Sequence, residues 1–186
     1  MENNRVCPWW LGYLLITPLR NLSTNPKKMF ASYIKLGMTV VDYGCAMGYF
    51  SLPMAEMVGA SGKIVCFDIQ EKMIEKLKER AVMAGLDERI EARLIKGEKS
   101  DFEGLKDTAD FGLLFAVAHE VPDREKLFRD LSNMLKPGSL LYFAEPPGHV
   151  TKEEFKQSVS FAEKAGFKKA INSGITKSHR VLLRKE

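Results

Sequence analysis

A short stretch of the sequence combines an acidic residue with closely spaced glycines, a pattern suited to binding a nucleotide-like ligand. Asp42, Gly44, Ala46 and Gly48 follow a β-branched apolar run that favours a buried strand, and residues 51–58 continue with a helical pattern. Glycine lets the backbone approach a ligand closely, and the first turn of a helix presents free N–H groups. A strand, a glycine-rich turn and a helix therefore predict a binding site here.

A second acidic residue, Asp68, strengthens this prediction because it ends the next predicted strand, residues 63–67, twenty positions beyond Gly48. At this distance an acid at the tip of a second strand meets a ribose. A carboxylate only accepts hydrogen bonds, whereas sugar hydroxyls donate them. Capping of the following helix by Asp68 or Gln70 is an alternative that is compatible with this role.

The glycine spacing distinguishes between two kinds of nucleotide-binding turn. A dinucleotide fingerprint requires glycine at positions occupied here by Gly44, Ala46 and Tyr49, and the tyrosine disfavours it. The pattern acid-x-Gly-x-small-x-Gly resembles motif I of the class I S-adenosylmethionine (SAM)-dependent methyltransferases, although alanine replaces the commoner glycine at 46. The methyl group of Ala46 is tolerated there if the residue keeps a negative φ. An ordinary βα turn with two glycines is the alternative.

The resemblance implies that the cofactor is SAM and indicates which residues contact it. The glycines would bend beneath the methionine end of SAM, and Ile69 would lie against the adenine face. The cofactor-binding residues implied in this way are Asp42, Gly44, Cys45, Ala46, Gly48, Asp68, Ile69, Gln70 and Ala116. In the resembled family an acidic residue after the third strand often binds the adenine amino group, and Glu98, Ser100 and Asp101 are alternatives for that place.

His119 and Glu120 are the candidate catalytic residues, because they follow the fourth predicted strand, residues 110–117. Ligands of open α/β sheets bind at the carboxyl ends of such strands. His119 is suited to act as a general base, with Glu120 orienting it or accepting a proton itself. The structural alternative is a histidine that bridges loop backbone and a glutamate that caps the next helix. After the fifth strand, Glu145 and His149 are further candidates to face the substrate, with a surface position as the alternative for His149.

Apolar periodicity predicts the elements that must position these residues. Strands and helices alternate through the chain, a turn at 136–139 precedes the fifth strand at 140–144, and a short connection makes the last two strands antiparallel. The prediction is an α/β fold, a three-layer αβα Rossmann-like arrangement with a seven-stranded sheet, mostly parallel with an antiparallel last strand. Helices are expected between the first six strands, and this order matches the class I methyltransferase layout over roughly residues 26–186.

Residues 1–38 precede the first strand and form a separate part of the prediction. Pro8, Gly12 and Pro18 interrupt an aromatic and aliphatic stretch that includes Trp9 and Trp10. This segment is expected to pack on the core or to act as a lid over the cofactor, and an exposed partner or membrane surface is the alternative. Residues 39–186 are expected to form the SAM-binding domain. A helix over 26–34 is predicted within the first part, with Asn25 as its N-cap.

Composition limits the classes of function further. The chain has 186 residues, a net charge of +4 and three widely spaced cysteines. The charge is not gathered in a basic tract, so nucleic acid is not a favoured partner, and the cysteine pattern favours a reduced, cytoplasmic protein without a metal site or membrane span. The prediction is a class I SAM-dependent methyltransferase, close to the methyltransferase type 11 group, with a small-molecule acceptor. RNA or protein methylation and non-catalytic SAM binding are the alternatives, and a homodimer is left open.

Overall fold

The protein, described from a computed structural model, has an α/β fold built from alternating helices and strands. The structure describes residues 8–12, 24–170 and 179–186. Within them the helices are α1 (Pro26–Phe30), α2 (Ser51–Val58), α3 (Glu71–Met83), α4 (Arg124–Met134) and α5 (Lys152–Lys164), with 3-10 turns at Trp9–Leu11, Asp87–Arg89 and Lys99–Phe102. The strands are β1 (Thr39–Tyr43), β2 (Lys63–Asp68), β3 (Ile90–Leu94), β4 (Ala109–Phe115), β5 (Leu135–Ala144), β6 (Phe167–Lys169) and β7 (Arg180–Lys185).

The seven strands form a mixed, mostly parallel sheet, as predicted. The chain divides into two compact units, within residues 6–101 and within residues 102–186. In the first unit, β1 pairs in parallel with β2, and β2 with β3. In the second unit, β4 pairs in parallel with β5, while β7 is antiparallel to both β5 and β6.

The first unit is held together by apolar side chains of its central strands and of one face of α3. β1 and β2 are almost completely buried, as expected for strands covered on both faces. Helix α3 turns Met73, Ile74, Leu77 and Ala81 inward, whereas Ala84, just beyond its end, is exposed. This packing fixes the carboxyl ends of β1 and β2, where the glycine turn lies.

The second unit is organised by two helices whose starts are capped as the sequence indicates. The Asp123 side chain accepts a hydrogen bond from the Lys126 N–H at 2.8 Å and so caps α4, which is the role considered for Glu120. Thr151 and Glu154 form a capping box at the start of α5. These caps fix where the loops after β4 and β5 must end.

Several predicted boundaries are wrong for local reasons. Helix α1 has the predicted N-cap but ends at Phe30, before the predicted end at 34. Strand β5 begins at Leu135 and contains an irregularity, because Gly138 has a φ of +82° within the predicted turn. A 3-10 turn, Lys99–Phe102, takes the place of the helix expected between β3 and β4. The short connection predicted between the last two strands lies outside the described residues.

No helix among the described residues is long and apolar enough to cross a membrane.

Candidate functional site

The glycine turn is fixed to the neighbouring strand through main-chain hydrogen bonds. The N–H groups of Gly44 and Cys45 donate to the Phe67 carbonyl, over 2.8 and 2.9 Å. Because β1 and β2 are parallel, this places the turn beside the end of β2 and beside Asp68. The chain order strand, glycine turn, helix therefore folds locally as predicted.

Gly48 is a position in this turn that strongly favours glycine. Its φ is +80°, and a β-carbon there would lie 2.4 Å from Leu77 Cδ1 of α3. Close approach of α3 is therefore part of the turn's construction. Arg80 of the same helix donates a hydrogen bond to the Met47 carbonyl. Sequence reasoning missed Arg80, because nothing in helical spacing indicates which exposed arginine reaches a loop.

Ala46 does not meet the condition of a negative φ, because its backbone is left-handed, with a φ of +47°. A left-handed conformation costs an L-residue about 1–2 kcal/mol, so the alanine is strained where relatives of this motif use glycine. The Ala46 N–H donates to Asp68 Oδ2 over 3.0 Å, which holds the strained residue in place. Strain of this kind concentrates at functional sites.

We expect Ala46→Gly to raise the free energy of unfolding by up to about 1 kcal/mol, since relief of the strain exceeds the entropic cost of glycine. Urea unfolding measures the change. Ala84→Gly is the matched control, because Ala84 has a φ of −92° and gains nothing from glycine. It should lower stability by about 0.5–1 kcal/mol, and equal losses in both variants would contradict the strain at Ala46.

Asp68 is a buried carboxylate at the end of β2 that is suited to accept hydroxyl donors. Its Oδ2 binds the Ala46 N–H, and its Oδ1 accepts from the Gln70 N–H over 2.9 Å. Burial raises its pKa, and the backbone N–H groups of Gln70, Ala46 and Ile69 oppose that shift. An ionised carboxylate has about four acceptor positions, so part of its capacity remains for a ribose.

Asp42 is completely enclosed and shares its carboxylate with the start of α2. Ser51 Oγ donates to Asp42 Oδ2 over 2.6 Å. The net pKa of Asp42 is raised to about 7. Burial is the main cause, the Ser51 hydrogen bond opposes it, and the nearby charge of Asp68 adds to it. Ser51 was not among the predicted site residues, although its place at the start of a helix after an acidic strand end offered a signal.

The raised pKa of Asp42 predicts how stability depends on pH. An unfolded aspartate titrates near 3.8, so the folded protein binds the extra proton between about pH 4 and about pH 7. The protonated Asp42 therefore stabilises the folded state fully below pH 4, and this stabilisation is lost as the pH rises through about 7. We expect wild-type stability to fall more steeply than that of Asp42→Asn in this window, by up to about 1.4 kcal/mol per pH unit. Urea unfolding at a series of pH values measures both slopes, and parallel slopes would contradict the prediction.

The remaining predicted cofactor residues of the first unit surround these two carboxylates. Ile69 is 54% exposed, so its side chain is accessible to a ligand. Cys45 is buried, which raises the pKa of its thiol. Among the alternatives for the adenine contact, Asp101 Oδ2 accepts three loop N–H groups, those of Lys96, Gly97 and Glu98. The side chains of the other two alternatives, Glu98 and Ser100, bond to each other over 3.0 Å.

Ala116, His119 and Glu120 lie in the second unit, on the loop after β4. Ala116 has a φ of +60° and donates its N–H to the Ala144 carbonyl of β5 over 2.8 Å. His119 Nδ1 lies 2.6 Å from Glu145 Oε2. Glu120 Oε1 is 4.0 Å from His119 Nε2, too far for a hydrogen bond.

Glu145, and not Glu120, is therefore the carboxylate bonded to His119, which corrects the orienting role predicted for Glu120. The His149 ring contacts the His119 ring edge-on, with centroids 5.7 Å apart. Parallel pairing of β4 and β5 was the available signal, since residues just beyond neighbouring strand ends meet. Among the described residues, no group of three or more His, Cys, Asp and Glu is arranged to hold a metal ion.

The fold and the glycine turn together define a class I, Rossmann-like methyltransferase. Residues 34–181 match the family model described as a methyltransferase domain. The chain therefore belongs to this methyltransferase domain family, as the resemblance predicted. SAM is the cofactor of this class, and the remaining acceptor capacity of the Asp68 carboxylate fits the hydroxyl groups of its ribose.

Curated relatives and solved structures agree with this placement. The chain is 30% identical over 107 residues to a demethylmenaquinone methyltransferase of Desulfitobacterium hafniense (strain Y51), covering 58% of this chain and 42% of that protein. It is 31% identical over 119 residues to the ubiquinone/menaquinone biosynthesis C-methyltransferase UbiE of Escherichia fergusonii (strain ATCC 35469), covering 61% and 45%. The matched stretch thus spans less than half of either relative.

The structural comparisons concern the fold. A SAM-dependent methyltransferase from Aquifex aeolicus superimposes with a TM-score of 0.81 at 23% identity, covering 96% of this chain and 98% of that one. One from Mesorhizobium loti gives a TM-score of 0.67 at 17% identity, covering 88% and 100%. The predicted α/β methyltransferase fold is thereby confirmed.

Proposed function

We propose that this protein transfers a methyl group from SAM to a small-molecule acceptor. The observation that carries the proposal is the buried Asp68 carboxylate, which holds the glycine turn through Ala46 and keeps acceptor capacity for hydroxyl groups. Two relatives support the class of acceptor, since their names place them in demethylmenaquinone methylation and in ubiquinone/menaquinone biosynthesis.

The chain's residues divide this work between cofactor binding and proton handling. Asp68 would accept from the ribose hydroxyls, Ile69 would cover the adenine, and the Gly44–Gly48 turn would face the methionine end. When bound, SAM supplies a methyl group already activated on a sulfonium, so orientation of the acceptor provides much of the rate enhancement. His119 and Glu120 are proposed to act on the acceptor.

The N-terminal segment, residues 1–38, is proposed to cover the cofactor, next to a domain over 39–186. Gly12 is buried, and a β-carbon there would lie 2.9 Å from Met47 Cε in the glycine turn. Trp9 and Trp10 stay 43% and 57% exposed, and would suit an apolar acceptor. Residues 1–7 and 13–23 of the segment lie outside the described residues. A cytoplasmic location and the choice between monomer and homodimer remain predictions.

The proposal is tested by incubating the purified protein with SAM and separate acceptors, with S-adenosylhomocysteine as the readout. The acceptors are demethylmenaquinone and related hydroquinones, total RNA and a mixture of proteins. We expect turnover with a small molecule only. Turnover confined to RNA or protein would contradict the acceptor class, and SAM binding without turnover on any acceptor would favour a non-catalytic SAM-binding protein.

A further inference from the structure

The loops after β4 and β5 bring a histidine and a buried carboxylate together in the second unit. His119 Nδ1 lies 2.6 Å from Glu145 Oε2, and the His119 main-chain N–H donates to Glu145 Oε1 over 3.2 Å. The Glu145 N–H in turn donates to the His179 carbonyl over 2.9 Å. Both oxygens of Glu145 are therefore committed to one residue, and its own backbone is anchored to the segment that leads into β7.

The exposure of the two side chains differs in a way that suits an orienting role. The Glu145 side chain is 1% exposed, whereas that of His119 is 20% exposed. Burial of a carboxylate costs free energy unless the group is paired and hydrogen-bonded. The contact with His119 supplies that partner for Glu145. The imidazole is the member of the pair that solvent and ligands can reach.

The contact with Glu145 also determines which ring nitrogen of His119 carries the proton. An ionised carboxylate can only accept hydrogen bonds, so Nδ1 must donate. In the neutral imidazole, the lone pair is then at Nε2. Without the carboxylate, the ring would be free to adopt the other tautomer, with a hydrogen on Nε2.

We propose that Glu145 is a positioning residue that holds His119 as the Nδ1–H tautomer, so that Nε2 takes a proton from the methyl acceptor. This inference rests on the proposed methyl transfer and narrows its substrates to acceptors that lose a proton, such as a hydroxyl or an acidic carbon. The acceptor atom bonds to the methyl carbon, the carbon–sulfur bond of the sulfonium breaks with its electron pair passing to sulfur, and the acceptor's proton passes to Nε2. The imidazolium that results faces the Glu145 carboxylate.

The charges around His119 predict a measurable consequence. The hydrogen bond that His119 donates to Glu145 raises the His119 pKa, burial lowers it, the charges of Glu145 and Glu120 raise it and Arg124 lowers it, with a net rise above 6.5. The His149 ring is the other titratable neighbour that touches His119. Loss of the Glu145 charge should therefore lower the His119 pKa by about one unit, given the usual effect of an adjacent opposite charge.

The test is a nuclear magnetic resonance titration of the histidine rings in wild-type protein and in Glu145→Gln. The chain has three histidines, so the resonances are assigned with single His→Gln variants. We expect nitrogen shifts of the Nδ1–H tautomer in wild-type His119, and a pKa lower by about one unit in Glu145→Gln. The acidic limb of the kcat/KM profile should move to lower pH by the same amount, while kcat falls.

Glu125→Gln is the matched control, because Glu125 forms exposed ion pairs with Lys164 and Arg129 in the same unit. It should leave the His119 titration and the pH profile unchanged. If Glu145→Gln does not fold, Glu145→Asp keeps the charge on a shorter side chain and should shift the titration in the same direction by less. An Nε2–H tautomer in the wild type, or an unchanged titration in both Glu145 variants, would overturn the proposal. Because the titration needs neither cofactor nor acceptor, absence of turnover would count against the proposed function and not against the pairing of Glu145 with His119.

Discussion

His119→Gln should lower kcat by a factor of about 100–10,000 while leaving the Kd for SAM within about twofold of the wild-type value. The substitution removes the imidazole that is bonded to Glu145 and leaves the sequence of the glycine turn unchanged. Because the base must be neutral to accept a proton, the activity of the wild-type protein should rise as the pH increases through the raised pKa of His119. Steady-state kinetics with S-adenosylhomocysteine as the readout, together with calorimetry for SAM, separates the two effects.

The control for His119→Gln is Lys156→Gln, a substitution on the exposed face of α5. It should leave kcat and the Kd for SAM unchanged. If His119→Gln retains full kcat at every pH, His119 is a structural histidine and acceptor positioning alone accounts for catalysis. If His119→Gln weakens SAM binding as strongly as it lowers kcat, the assignment of SAM binding to the glycine turn and of proton transfer to His119 is wrong.

Asp68→Asn should weaken SAM binding by about 10- to 100-fold, since a hydrogen bond to a charged group contributes about 1.5–3 kcal/mol. The asparagine is similar in shape but lacks the charge and one acceptor, so the Ala46 and Gln70 N–H groups and the ribose compete for what remains. Isothermal calorimetry measures the change in Kd. Unfolding in urea checks that the turn survives, because Asp68 also supports the main chain.

The control for this variant is Asp87→Asn, which changes an exposed aspartate in the same unit. It should bind SAM as the wild type does. Equal SAM affinity of Asp68→Asn and wild type would place the ribose contact elsewhere. A further outcome is that the folded variant binds SAM as the wild type does and loses affinity only under conditions where it unfolds. That result would make Asp68 a purely structural residue.

The sequence predicted the first unit closely because its site depends on local signals. Strand β1, helix α2 and the buried face of α3 follow from periodicity, and the choice of Asp42, Gly48 and Asp68 as candidates follows from their spacing in sequence. The left-handed φ of Ala46 was not predicted. It is set by the hydrogen bond from its N–H to Asp68, a residue 22 positions away, which local propensity does not describe.

Contacts between distant segments were the part that sequence reasoning could not supply. His119 and Glu145 are 26 positions apart, and their pairing requires the parallel register of β4 and β5. Glu120, adjacent in sequence, seemed the natural partner of His119, but neighbours along a loop seldom point at one another. The contact of Arg80 with the Met47 carbonyl depends in the same way on how closely α3 packs against the turn.

The most direct test of the account is calorimetry of the wild-type protein with SAM and, separately, with nicotinamide dinucleotides. We expect the protein to bind SAM with micromolar affinity and not to bind the dinucleotides, because Tyr49 occupies the place where a dinucleotide turn requires glycine. Dinucleotide binding, or the absence of SAM binding by folded protein, would contradict the assignment of the Asp42–Gly48 turn and Asp68 to SAM.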